Sequence, residues 1–367
     1  MRIAQVAPLL ESVPPQFYGG TERIVSYLTE ELVREGHAVT LFASGDSETR
    51  ATLVAPCERA LRLDLNSIDR LSPHVLEVEW MTQRARDFDV IHAHIDFLPF
   101  PSFRRLSTPS LTTLHGRLDL PEMRAIFREF HDMPVASVSD SQRRPVPMAH
   151  WQSTVYHGIP KDLLPLNTKP AGYLAFLGRI SFEKRVDRAI EIAKRAGIKL
   201  RIAAKVDAND REYYDRDVKP LLNHPLVEFL GEIGEQHKAE FLGNARALLF
   251  PIDWPEPFGI VMIEAMACGT PVIAYPCGSV PEVITPGVTG FIVRSIDEAA
   301  DAVRRAPSLS REAIRRHFEA HFTAERMAKD YVRLYKTLMR ARDDDRRDAP
   351  SVLLPAQELP AAKLGGI

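Results

Sequence analysis

The 367-residue chain predicts an α/β protein built from two doubly wound, Rossmann-like halves. Three observations carry this. Residues 2–43 run strand, loop, helix, strand, the order of a parallel sheet. The same order restarts at Tyr173 after a linker. The length suits two domains of ordinary size, each with its own core.

Arg2 to Pro8 reads as a first buried strand. Tyr18-Gly19-Gly20-Thr21-Glu22 then opens a helix with apolar positions Ile24, Leu28 and Leu32, closed by Gly36 before a second strand, His37 to Ala43. Gly19-Gly20 falls at a carboxyl strand end, where open α/β sheets bind ligands. Two glycines there let backbone approach a phosphate, although the spacing is not the dinucleotide fingerprint and such a pair also occurs as a plain turn. Asp89 to Asp96 is a further strand, with His92 and His94 on one face. A metal pair is conceivable there, but hydrogen-bonded core histidines are the stronger reading, since no third ligand is evident. Ser110 to Leu114 delivers His115-Gly116 at its tip, a plausible active-site position. Val135 to Ser139 is another strand, and Thr154 to Pro160 closes the half.

Lys161 to Gly172, rich in Pro, Lys, Asn and Thr, reads as the linker. Tyr173 to Leu177 restarts the pattern and leads into Gly178-Arg179-Ile-Ser-Phe-Glu-Lys184, with Lys184 at or just inside the next helix, Val186 to Ala196. Arg179 and Lys184 can aim at one phosphate, the first as a fork and the second as a point charge; a solvated surface pair is the competing reading. Strands follow at Lys199 to Ala204, Val227 to Leu230, Ala247 to Pro251, Val272 to Tyr275 and Thr289 to Val293, and a helix starts near Glu235. Helices are expected at Ile296 to Arg305, Ser310 to His321 and Thr323 to about Met339. The tail from Asp343, with charge runs, prolines and no periodicity, reads as disordered.

The stretch WPEPFGIVMIEAMACG, Trp254 to Gly269, organises the second half. Its two prolines predict an extended turn at Glu256, a helix from about Pro257 to Cys268, and a stop at Gly269-Thr270-Pro271. Glu256 then lies at the helix mouth and Glu264 two turns inside, roughly 12 Å apart along the axis. That exceeds the roughly 5–9 Å of carboxylates sharing one bond and suits the two ends of a long ligand. The N–H groups of Phe258, Gly259 and Ile260 between them favour an anion. Hydroxyls at both ends and phosphate in the middle describe a nucleotide sugar. A capping Glu with a buried, ion-paired Glu is the alternative.

Composition bounds the classes. Charged residues make up 26% and the net charge is −2, so no whole-protein field draws in nucleic acid. Cys57, Cys268 and Cys277 lack metal-ligand spacing and fit a reduced, cytoplasmic compartment. The amino terminus reads as a strand rather than a signal peptide. No run approaches the ~18 apolar residues of a membrane span. Met123, Ile126, Phe127 and Phe130 beside Arg124 and Arg128 could form a membrane-facing stripe, but a core-facing stripe is favoured.

With the Gly-Gly loop, GRISFEK and PEPFGIVMIEAMACGTPVIA together, the sequence resembles the retaining GT-B glycosyltransferases of family 4 over residues 1–340. The resemblance implies two Rossmann-like domains facing a cleft: an acceptor domain at 1–165, completed by a helix at about 323–340 that crosses back around Tyr331 to Tyr335, and a donor domain at 166–322. It implies that Arg179 and Lys184 bind the diphosphate, Glu256 the donor sugar hydroxyls and Glu264 the ribose. It places Gly19 and Gly20 beside the diphosphate, Pro257, Phe258, Gly259 and Ile260 in the donor-binding stretch, and His115 near the transferred sugar. A hexosyl unit, UDP-hexose being the first expectation, would move to a small-molecule, glycan or lipid acceptor with no cofactor. No Asp-x-Asp motif is placed to hold a divalent ion; the cations and helix N-termini would stabilise the leaving diphosphate. The sequence departs from the family at Ala204-Lys205-Val206-Asp207, where glycines are usual, and at His157-Gly158-Ile159. Lys205 reads equally as a third phosphate cation or a solvated residue. A nucleotide-sugar 2-epimerase and a non-catalytic nucleotide-sugar-binding protein remain as alternatives.

Overall fold

The computed structural model describes residues 1–16, 19–62, 64 and 68–348, with the backbone alone for 343–348. Seven strands form the first sheet: β1 (Arg2–Val6), β2 (Ala38–Phe42), β3 (Thr52–Val54), β4 (Val90–Ala93), β5 (Ser110–Thr113), β6 (Pro134–Ser137) and β7 (His150–Thr154). Six form the second: β8 (Tyr173–Arg179), β9 (Leu200–Lys205), β10 (Val227–Gly231), β11 (Ala245–Phe250), β12 (Val272–Ala274) and β13 (Gly290–Ile292). The orders are β3-β2-β1-β4-β5-β6-β7 and β10-β9-β8-β11-β12-β13, and the pairings are parallel. In both sheets the order reverses beside the first strand, which opens a crevice at the carboxyl ends of β1/β4 and of β8/β11. Continuous apolar runs, such as ALLF at the end of β11, fit sheets covered on both faces.

Several elements differ from expectation. Thr52–Val54 and Ser72–Gln83 were not anticipated: the first is three residues long, and the second carries its apolar residues without a clean stripe. The last strand of the first sheet is His150–Thr154, and residues 155–160 form the connection that follows. The segment 343–348 is helical, because Ala324–Asp348 continues as one helix and no proline interrupts the chain between its start and Pro350. Residues 349–367, expected to be disordered, lie outside the described residues.

The second half returns to the first through Thr323. Ile159 N–H donates to Phe322 O at 3.0 Å and Ala324 N–H to Ile159 O at 2.9 Å. Gly158 is required there, since a Cβ would sit 2.2 Å from Thr323 O. Beyond this crossing the long helix buries Met327, Tyr331 and Tyr335 completely against the first half. Its register decides which tyrosines enter the core, and that sets part of the site below. On the helix Pro121–Glu129, Phe127 is fully buried while Met123, Ile126 and Phe130 pack on the same core, so the stripe faces inward. Among the described residues no helix is long and apolar enough to cross a membrane.

Candidate active site between the two sheets

The organising stretch folds differently in detail from its prediction. Its helix is Ile260–Ala267, so Phe258 and Gly259 precede it and Pro257 lies in the loop. The cause is Gly259, the N-cap, whose φ of +78° is left-handed and interrupts any helix begun at Pro257. A Cβ at Gly259 would also meet Phe250 Cζ at 2.9 Å. Glu256 therefore sits in a buried loop rather than at the helix mouth. The loop is pinned from behind: Ser279 N–H donates to Glu256 O at 3.0 Å, and Ser279 Oγ donates to Phe258 O at 2.7 Å.

Two carboxylate–ammonium pairs define the loop and helix. Glu256 Oε2 pairs with Lys184 Nζ and accepts from Trp254 Nε1 at 3.0 Å. Lys184 also stands over the rings of Trp254 (5.2 Å) and Phe250 (5.6 Å). Lys184 ends a 3-10 turn, Phe182–Lys184, rather than entering the next helix. Arg185, at φ +54°, separates the two and starts the helix at Val186. Glu264, 3% exposed, pairs with Lys238 Nζ at 2.6 Å, which also reaches Glu235 at 3.2 Å. Glu235 in turn pairs with Arg23 from the first half. Lys238 and Arg23 were not singled out in the sequence, where both read as ordinary helix cations.

Gly19 and Gly20 start the helix Gly20–Arg34. A Cβ on Gly20 would lie 3.6 Å from Ile260 Cδ1. The first residues of two helices, one from each half, are thus neighbours, Gly20 against the Ile260 side chain. N–H groups in a first turn have no intrahelical partner, so this is a doubly electropositive spot for an anion. Gly19 packs so closely that a Cβ would meet Pro15 Cβ at 2.7 Å. Tyr18 lies outside the described residues. Glu22, buried in the first turn, has its carboxyl pushed up to about 7 by loss of solvation.

Arg179, the last residue of β8, is registered beside Lys205, the last of β9. Arg179 faces three carboxylates: Asp210 at 3.4 Å, Glu183 at 3.6 Å and Asp207 at 3.8 Å. Lys205 is largely buried and pairs with Asp207 at 2.6 Å. It stands beside Arg179 at neighbouring strand ends instead of pointing into solvent. Arg117, two residues beyond His115, crosses from the first half to Glu183 at 2.7 Å and lies 5.6 Å over Trp254.

His115 belongs to a buried histidine cluster. His94 Nδ1 lies 2.9 Å from His115 Nε2, and His94 Nε2 lies 2.8 Å from Gln5 Oε1. His157 stacks on His115 at 5.2 Å and 17°, and meets Phe258 edge-on at 4.9 Å. His92 is bonded through both nitrogens, to Tyr335 Oη and Thr113 Oγ1, each at 2.7 Å. Burial holds His115 down to about 3 and His92, His94 and His157 well below the ordinary histidine range. The His92/His94 pair is thus a hydrogen-bonded core pair. Among the described residues no group of three or more His, Cys, Asp or Glu is arranged to hold a metal ion. Gln5 was a legible signal, a lone amide among the buried apolar residues of β1. His157 and Tyr335 come from distant segments and have no local signature.

A separate depression of ≈ 360 Å³ lies at the amino ends of β1 to β3, lined by Arg2, His37, Arg50 and Arg84 among others. Its arginines are paired to Asp89, Glu30 and Asp87, and it lies at the opposite strand ends from the crevice.

Two parallel sheets facing a crevice lined by paired cations, carboxylates and helix amino ends define a GT-B glycosyltransferase. The chain belongs to family 4 of these enzymes: residues 18–179 match Glycosyltransferase Family 4, and residues 165–319 match Glycosyl transferases group 1. It is 28% identical to the phosphatidyl-myo-inositol mannosyltransferase of Mycobacterium leprae, over 92% of this chain and 97% of that protein. Its fold is shared with AviGT4, a glycosyltransferase involved in avilamycin A biosynthesis (TM-score 0.70, 23% identity, 93% of this chain and 98% of that one). It is shared too with a sucrose-phosphate synthase from Thermosynechococcus elongatus (TM-score 0.75, 20% identity, 93% and 100%).

Proposed function

We propose that this glycosyltransferase moves a hexosyl unit from a nucleoside diphosphate sugar to an acceptor hydroxyl, with retention of configuration and without a metal ion or cofactor. The observation that carries this is the meeting of two helix amino ends at Gly20 and Ile260, flanked by Glu256–Lys184 on one side and Glu264–Lys238 on the other. A diphosphate between the amino ends places a sugar toward Glu256 and a ribose toward Glu264.

The chemistry follows from the charges. As the sugar–phosphate bond breaks, the diphosphate gains negative charge. Lys184, Arg179, Lys205 and the two helix amino ends supply preorganised positive potential to it. In this reading Glu256 exchanges its bond to Lys184 for sugar hydroxyls, which frees the ammonium for phosphate. The acceptor hydroxyl attacks from the face the diphosphate leaves, and its proton passes to the departing phosphate oxygen. His115 lies beside the transferred sugar. The relatives named as phosphatidyl-myo-inositol mannosyltransferases favour a glycolipid acceptor and a mannosyl donor. A structure of similar fold determined with UDP and glucose keeps UDP-hexose alongside GDP-mannose. The cytoplasm is the compartment proposed, with the membrane surface as meeting place if the acceptor is a lipid.

The test is a donor panel of UDP-, GDP-, ADP- and dTDP-sugars with the purified chain, read by thermal shift and slow hydrolysis with and without EDTA. A donor at about 100 times its Kd should stabilise by about 2.7 kcal/mol. We expect one nucleotide to stand out, indifferent to EDTA and lost in Glu264→Ala. No shift with any nucleotide sugar would overturn the reading.

A further inference from the structure

The histidine cluster extends into a hydrogen-bond chain whose polarity can be worked out. From Tyr331 Oη to Thr113 Oγ1 is 2.9 Å, from Thr113 to His92 Nε2 is 2.7 Å, and from His92 Nδ1 to Tyr335 Oη is 2.7 Å. Tyr335 Oη lies 3.1 Å from Gln5 Nε2, Gln5 Oε1 lies 2.8 Å from His94 Nε2, and His94 Nδ1 lies 2.9 Å from His115 Nε2. The far nitrogen of His115, Nδ1, is buried and has no partner among the described residues. The chain thus links the returning helix to the crevice and ends on one unoccupied ring position.

That open end decides where the protons are. All four rings are neutral, so each carries one N–H. A proton on His115 Nδ1 would be a buried donor with no acceptor, at a cost of about 1–3 kcal/mol. Orphaned buried donors are rarer than orphaned acceptors. The His115 proton therefore sits on Nε2 and is donated to His94 Nδ1. His94 must then carry its proton on Nε2, where Gln5 Oε1 accepts it. Gln5 turns its amide nitrogen to Tyr335 and donates to that hydroxyl. Tyr335 donates to His92 Nδ1, and His92 donates from Nε2 to Thr113. Each group has one consistent role: reversing the His115–His94 or His94–Gln5 link orphans the N–H at the crevice end, and with Gln5 donating to Tyr335 that hydroxyl has only His92 Nδ1 to donate to.

We infer that His94 is a positioning residue which, together with Gln5, holds His115 as its Nε2–H tautomer, leaving the Nδ1 lone pair to accept a hydrogen bond from a hydroxyl of the transferred sugar. This rests on the proposed reading of His115 as the residue beside that sugar. His157 completes the arrangement by holding the His115 ring plane through its stack, and it joins the ring to Phe258 of the donor loop. The residues come from five separated segments, β1, β4, β5, the 155–160 connection and the last helix. Only the crossing at Thr323 brings the last of these into register. A substrate hydroxyl would satisfy the lone pair on which this hydrogen-bond chain ends.

The experiment is ¹⁵N-histidine NMR of the full chain near pH 7, with His94 and His115 assigned by substitution, alongside steady-state kinetics. The expected result is His94 and His115 both protonated on Nε2 in the unsubstituted protein. Gln5→Leu, which removes the acceptor, should abolish the single tautomer and lower kcat by about 10–100-fold, as loss of such an orienting partner does at other sites. The donor KM should stay within about threefold. Tyr335→Phe keeps the ring but frees the Gln5 amide, and should give a mixture of both tautomers with a smaller fall in kcat, even if Gln5→Leu does not fold. His115 protonated on Nδ1 in the unsubstituted chain would overturn the inference. So would a disturbed tautomer with unchanged kcat, or a fall in kcat matched by an equal loss of donor binding. If no nucleotide sugar is turned over, the donor reading fails and takes the sugar contact with it, while the NMR still decides how His115 is held.

Discussion

The Lys184–Glu256 pair offers the sharpest quantitative test. The two side chains are 15% and 11% exposed, so each is mostly removed from water and depends on the other. Breaking a fully buried pair by deleting one partner costs about 3–5 kcal/mol. Here Glu256 keeps the Trp254 N–H in either case, and some exposure remains, so Lys184→Met should destabilise by about 2 kcal/mol. Glu256→Gln should cost less, about 1 kcal/mol. The amide oxygen still accepts from Trp254, and Lys184 keeps its places over Trp254 and Phe250. The double variant leaves no charge unpaired and should cost less than the sum, with a coupling of about 1–2 kcal/mol. At about 2–4 °C per kcal/mol for domains of this size, Lys184→Met should melt about 4–8 °C lower. Turnover separates the pair's two roles. If Lys184 meets developing phosphate charge, Lys184→Met and the double variant should both lose about 10²–10³ in kcat, although the double variant regains stability. Differential scanning calorimetry with single-turnover kinetics reads both axes. Turnover of Lys184→Met within about threefold of the parent would refute the assignment. Strict additivity in stability would refute the pairing.

Four further outcomes follow from the geometry. Glu22 is buried, and its carboxyl is raised to about 7 from an ordinary 4.5, so the folded state holds the proton more tightly. Its contribution is fully present below about pH 4.5, falls as pH rises to 7, and amounts to about 3 kcal/mol in all; Glu22→Gln should flatten urea-melt stability over that window. The buried histidines act in the opposite sense. With His115 lowered from 6.5 to about 3, the unfolded chain binds protons first, so stability should fall as pH drops below about 6.5, by up to about 1.4 kcal/mol per pH unit for each ring. Gly259→Ala puts a Cβ at left-handed φ and 2.9 Å from Phe250, and should cost about 1–3 kcal/mol and disturb the donor loop, visible as a lower Tm with weaker donor binding. Glu282 accepts the N–H groups of Asp140 at 2.7 Å and Ser141 at 2.8 Å, and the Tyr156 hydroxyl at 3.1 Å. Glu282→Ala should therefore loosen the two halves, seen as faster hydrogen exchange at residues 140–141 with the sheets unaffected.

Much was legible in sequence because local chemistry carries it. The β-α-β order, its restart at Tyr173 and the apolar strands required parallel sheets whatever the long-range packing. Strand-end placement of His115 and Arg179 follows from where apolar runs stop. The burial of Glu264 follows from its place in an apolar helix, IVMIEAMA. What could not be read was pairing between segments far apart in the chain. Lys184 meets Glu256 across 72 positions, Lys238 meets Glu264 across 26, and Tyr335 meets His92 across 243. None of these has a periodicity to announce it. The start of the Ile260–Ala267 helix was misplaced because Gly259 takes a left-handed φ, and glycine adopts either sign of φ, so its identity alone does not announce the break. The sequence by itself determined the two sheets and which residues reach their carboxyl ends, since hydrophobic patterning and breakers act over a few residues. Only the tertiary structure decided which cation neutralises which carboxylate and which way the histidine chain donates. Those choices are made by desolvation and close approach, which exist only once both halves and the returning helix are packed together.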